Sequence, residues 1–199
     1  MATIPLEHGP HAAHVNQPSR GMVGMISLIV AESAIFTIFV AAWLYYLGRD
    51  TRGPSPKEVL EVPWFYSVCL LGSSGIIMLA EHAIEHGKMA AFRLWWAFTI
   101  LLGMIFLYGT GVEWHKLIVE DHLTISTNLF GTTYYSLVGL HATHVVVGLI
   151  MMLFVLAFSL MRSVQPVHAY RIKVLALYWH FVDAVWVVVF TCVYIIGRQ

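Results

Sequence analysis

The chain has 199 residues, 11 basic and 11 acidic side chains with formal net charge zero, and 59% hydrophobic against 11% charged residues. Ordinary globular chains lie nearer half apolar and a quarter charged, and a balanced charge offers no basic patch for phosphates, which excludes a nucleic-acid partner. The apolar residues fall into blocks of about 20 or more, the length that spans a bilayer, so the sequence predicts an all-α polytopic membrane bundle with no soluble enzyme domain.

Residues 1–20 read as a polar, His-rich cytoplasmic tail that includes His8, His11 and His14. Those histidines suit either a metal or a floppy tail, and the first apolar block is too long for a cleaved signal. Residues 21–199 read as the transmembrane domain. Its first span, about 21–47, ends in Trp43, Tyr45 and Tyr46, an aromatic belt at an interface. A loop punctuated by Gly and Pro follows. The second span, about 64–84, carries Gly72, Ser73, Ser74 and Gly75, small residues that let helices approach closely in lipid. The third span is about 91–111, and the segment after it, GVEWHKLIVEDHLTISTN, is too charged for hydrocarbon. The fourth and fifth spans are about 131–161 and 170–196. Cys69 and Cys192 sit inside apolar blocks and read as small hydrophobes.

Lys and Arg near the span ends are almost balanced between the two sides, with a lean toward the N-terminus inside and the C-terminus outside. Trp179 and Trp186, seven apart, form a stripe with Val182 that reads as a packing face; Trp95, Trp96 and Trp114 read as interface markers.

Ionisable residues within spans are costly and call for a functional reading. Glu32 lies about eleven residues, or about 16 Å, into the first span, near the midplane. His141 and His144 share a face of the fourth span, and His180 and Asp183 repeat that spacing in the fifth. Glu32, His144 and Asp183 are therefore expected at one depth, the carboxyls either neutral or paired with an imidazole. The residues leave three readings open: a polar clamp between helices, a proton or lipid-head-group role, and ligation of metal or haem. Glu81, His82, Glu85 and His86 form a second cluster at the inner end of the second span. Di-iron bundles need Glu-x-x-His on two helices. Here Glu81 leads to Ile84 and His82 to Glu85, so a solvated helix end fits better.

Several segments are more specific. LYWHFVDAVWVVV (177–189) closely resembles the signature of subunit III of the haem–copper oxidases, and GTTYYSLVGLHATHVVVG (131–148) resembles that family's Gly-x-His-x-x-His helix. AESAIF, LAEHAIEHGKMAAF and YGTGVEWHKL, with Glu113, resemble further elements of the family in the same order. The likeness covers about 21–197 and fits the short, five-helix bacterial form; the longer members carry two more helices at the start, which partly wall a lipid-filled cleft.

The resemblance implies a non-catalytic subunit III of a cytochrome c or quinol oxidase in the bacterial cytoplasmic membrane. It would stabilise the catalytic subunit I, contact other oxidase subunits and lipids, and support oxygen and proton delivery. It implies a complex that reduces oxygen and translocates protons, with haems and copper in partner subunits, no metal or catalytic residue on this chain, and bound phospholipid. The rivals are a nitric-oxide-reductase accessory protein of the same family and a b-type haem electron carrier.

Overall fold

The computed structural model describes residues 19–49 and 53–198. Most of the His-rich tail, with His8, His11 and His14, lies outside them. In hydrocarbon every backbone N–H and C=O must be satisfied within the chain, so apolar blocks of this length become helices. Among the described residues five helical stretches are long and apolar enough to cross a membrane. They are α1 (Arg20–Tyr46), α3 (Trp64–Glu85), α4 (Met89–Val119), α5 (Leu129–Leu160) and α6 (Ala169–Phe190). A short α2 (Pro56–Val59) lies between α1 and α3. A 3-10 turn (Pro166–His168) leads into α6, and a π-helical stretch (Thr191–Ile196) prolongs it.

Local chemistry marks the ends. The Ser19 hydroxyl accepts from the Met22 amide at 3.3 Å to start α1, and the Asn128 side chain accepts from the Gly131 amide at 2.8 Å to start α5. Gly87, with φ +70°, turns the chain between α3 and α4, a conformation that glycine adopts without steric cost. α4 continues eight residues past the expected span, to Val119, and carries Glu113 and Lys116 on regular helix.

α6 is the hub. It packs on α1, α3 and α5, and half of its most apolar stretch is buried, against 6% for α1. α1 touches the bundle along one line and buries only Phe36 and Trp43. The indoles of Trp179 and Trp186, both 1% exposed, form the expected packing stripe. Each indole N–H donates to a serine of α3: Trp179 to Ser73 at 2.8 Å and Trp186 to Ser67 at 3.1 Å.

Two of the aromatics turn inward. Unlike the exposed Tyr45 and Tyr46, Trp43 is buried and donates to the Cys192 carbonyl at 3.0 Å. Trp96 is wholly buried and donates to the Met152 carbonyl at 3.0 Å. A buried indole needs one acceptor for its N–H, and both find a main-chain carbonyl across the bundle.

The glycines also differ from expectation. A Cβ on Gly72 or Gly75 meets nothing within 4 Å, so neither helps helices approach within this chain. Close approach occurs instead at Gly103 and Gly148, where a Cβ would lie 2.9 Å from Trp179 ring atoms, and at Gly109, where it would enter the Tyr66 ring.

Candidate functional site

The polar groups inside the bundle resolve into separate contacts between helices. Glu32 of α1 faces His144 of α5, with Oε2 3.1 Å from Nε2. The other imidazole nitrogen, Nδ1, lies 2.8 Å from the Leu140 carbonyl. A carbonyl only accepts, so Nδ1 carries the hydrogen and donates to it. The contact between Nε2 and Oε2 therefore joins the imidazole of α5 to the carboxyl group of α1. The Tyr178 hydroxyl donates to the His144 carbonyl at 3.3 Å, and the Phe36 ring packs on the imidazole at 5.0 Å. A cleft of about 290 Å³ lined by Met25, Leu28, Val147 and Met151 lies over the pair.

His141 does not join His144. Three residues advance a helix by about 300°, which leaves side chains about 60° apart; Phe36 packs on both rings, 6.5 Å from His141 and 5.0 Å from His144, but only His144 reaches polar partners. His141 is fully buried, stacked 4.9 Å from Trp186 at 29° with Phe106 edge-on at 5.8 Å. Neither of its ring nitrogens has a hydrogen-bond partner.

His180 and Asp183 meet through Ser74 of α3. The Ser74 hydroxyl donates to Asp183 Oδ2 and lies 3.0 Å from His180 Nδ1. A hydroxyl has one hydrogen to give, so His180 Nδ1–H is the donor in the second contact. Asp183 is 3% exposed, and its Oδ1 has no protein partner. Ser74 was legible in the sequence only as a small residue. Its role as a bridging polar group carries no local signature.

These contacts share a level. α5 runs antiparallel to α6 with His141 against Trp186 and the Tyr134 hydroxyl 3.4 Å from that of Tyr194. That register brings residue 144 level with residue 183. Glu32, paired with His144, joins them at that depth.

A further carboxylate lies half-buried at the opposite end from the α3–α4 turn. The Tyr194 hydroxyl lies 2.9 Å from both oxygens of Glu113. Sequence reasoning reached Glu113 only through family resemblance, because its neighbours are too charged to suggest burial. At the rim of this end Lys116 donates to Glu61 at 2.5 Å, which holds the Glu61 carboxyl below its ordinary value. Glu58 is lowered by the Ser55 amide, which donates to it at 2.9 Å at the start of α2.

The other cluster occupies the last turn of α3. Glu85 lies 3.7 Å from Lys173 of α6, and Glu81 is half-buried. The rings of His82 and His86 stand 4.1 Å apart, and both residues are exposed.

Comparison with known proteins gives a consistent answer. The family model described as Cytochrome c oxidase subunit III matches residues 3–198. The chain is 35% identical over 196 residues to the Synechocystis protein named Cytochrome c oxidase subunit 3, covering 94% of this chain and 81% of that one. It is 32% identical to the protein of that name from Alkalihalophilus pseudofirmus, over 88% of this chain and 86% of the relative. The Bacillus sp. PS3 protein of the same name is 33% identical, over 88% and 85%. Neither the nitric-oxide-reductase accessory protein nor a b-type haem carrier is favoured by these relatives. A multi-pass bundle with this ordered set of segments, matched from residue 3 to residue 198, belongs to the cytochrome c oxidase subunit III family.

Proposed function

We propose that this chain is the non-catalytic subunit III of a bacterial haem–copper terminal oxidase. It sits in the cytoplasmic membrane beside the catalytic subunit I, with its N-terminus inside and its C-terminus outside. The haems and copper that reduce oxygen belong to partner subunits, and proton translocation is a property of the assembly. The observation that carries this reading is the family match across nearly the whole chain.

The side-chain geometry suits a supporting role. Glu32, His144, His180 and Asp183 each bond to a neighbouring helix, so they tie helices together at the level where unpartnered polar groups are most costly. His141 fills space in an aromatic cluster. The exposed apolar flank of α1 suits lipid or a neighbouring subunit. The groove of about 450 Å³ between α1 and α6, walled by Phe36, Val40, Phe181 and Val185, is wide enough for an acyl chain. At the inner end, Glu81, His82, Glu85 and His86 gather carboxylates and imidazoles, and His82, Glu85 and His86 are exposed. That arrangement supports collection of protons for the complex.

The test is affinity purification of the tagged chain from its native membrane in mild detergent, followed by assay of haem, copper and oxygen consumption. Haem and copper are expected to co-elute with oxidase activity. A folded chain that elutes without them would falsify the assignment.

A further inference from the structure

The last turn of α3 presents two imidazoles one helical turn apart. His82 and His86 are both exposed, with ring planes 40° apart and centroids 4.1 Å apart. His86 Nδ1 lies 2.8 Å from the His82 carbonyl. That carbonyl can only accept, so Nδ1 carries the hydrogen and Nε2 keeps its lone pair. Metal-bound histidines are oriented by the same kind of hydrogen bond from the far ring nitrogen. The C-terminal end of a helix also favours a cation, and the neighbouring Glu81 and Glu85 add negative charge, although Glu85 is shared with Lys173.

We propose that His82 and His86 form a two-imidazole chelate for an exchangeable divalent transition-metal ion of the zinc, nickel or copper(II) class. Histidine pairs at this spacing on one helix face are a recurrent zinc-binding arrangement. Two imidazole nitrogens about 2.0–2.1 Å from one ion, at an angle between a right angle and tetrahedral, set the ring centroids about 4.5–5.2 Å apart. The rings need to open by about 1 Å or less, which exposed side chains achieve by small rotations. Magnesium and calcium prefer oxygen ligands and are selected against. Among the described residues no three His, Cys, Asp or Glu side chains gather as a ligand set. Water therefore completes the coordination, and the ion exchanges freely instead of holding the fold together. Such an ion competes with protons for the same nitrogens. If the cluster collects protons as proposed above, metal occupancy would silence that step; the binding itself does not depend on that reading.

The experiment uses the full-length chain in detergent, with His8, His11 and His14 replaced by Gln to remove the tail as a ligand source. Zinc binding is measured by competition with a chromogenic chelator at pH 7.5, for this background and for the same background with His82→Gln or His86→Gln. Helicity is checked by circular dichroism. Oxidase turnover is not read, so this test fails or succeeds separately from the functional assignment. One zinc per chain is expected in the background, insensitive to millimolar magnesium and lost near pH 5. Each single substitution is expected to weaken it about tenfold or more. No saturable site in the background, or weakening by only one of the two substitutions, overturns the chelate.

Discussion

A carboxyl group in hydrocarbon has to be neutral or partnered, and Asp183 and Glu32 meet that demand differently. Asp183 is nearly sealed and takes its hydrogen bond from Ser74 of the neighbouring helix. Polar contacts between membrane helices contribute about 0.6–2 kcal/mol, so Asp183→Leu is expected to lower the melting temperature of the purified chain and weaken its retention in a complex. A double-mutant cycle with Ser74→Ala assigns the loss: a coupling energy near zero means that the bridge does not hold α3 to α6. Glu32 is less enclosed and meets the His144 imidazole at 3.1 Å. Glu32→Gln keeps a hydrogen-bonding group toward the imidazole. Oxygen consumption by the complex is therefore expected to persist, with effects confined to proton-pumping yield or slow inactivation. Activity below about a hundredth of wild type, with the chain still bound, would show direct participation in the chemistry; an effect that large is about 2.7 kcal/mol of barrier. The Glu32–His144 contact was legible in the sequence because depth along a helix is simple arithmetic. The different fates of His141 and His144 were not, because i, i+3 spacing fixes proximity but not which ring finds a hydrogen-bond partner.

At the level of the helices, the small residues separate packing from appearance. Gly103, Gly109 and Gly148 sit under the rings of Trp179 or Tyr66, whereas Gly72 and Gly75 face open space in this chain. Gly109→Ala and Gly148→Ala are expected to destabilise the detergent-solubilised chain by about 1–3 kcal/mol, the usual cost of overpacking. Gly72→Ala and Gly75→Ala should leave its melting temperature unchanged. Equal losses at Gly75 and Gly148 would contradict this account of the packing. Helix positions were legible from the apolar blocks, since a membrane leaves the backbone few alternatives. The glycine contacts were not, because a small-residue run looks the same whether it faces a helix of its own chain or something outside it. The extension of α4 to Val119 was hidden for a related reason. Charged residues exclude hydrocarbon but not helix, and Glu113 continues the helix while its carboxylate turns inward to Tyr194.

For the whole molecule, the proposed topology has each of the five candidate spans among the described residues cross once, which would set the start of α1 and the end of α6 on opposite sides of the membrane. A periplasm-dependent reporter fused after Gln199 is expected to be active, and the same reporter after Gly87 inactive; the reverse pattern would invert the proposed orientation. Charge alone said little about this, because the Lys and Arg counts at the two faces nearly match. The sparse attachment of α1 has its own consequence. Lipid tails are as apolar as leucine, so no hydrophobic force presses α1 onto the other helices. Among the described residues polar links at three levels hold it: the capping Ser19 hydroxyl to the Tyr170 hydroxyl at 2.9 Å, Glu32 to His144, and the Trp43 indole to the Cys192 carbonyl. Val30 and Ile38, 65% and 67% exposed, face whatever happens to lie alongside. In the proposed complex the exposed flank of α1 would exchange lipid for protein wherever a partner subunit covers it. A polarity-sensitive probe at residue 38 reads out assembly from within the membrane, at a distance from any haem.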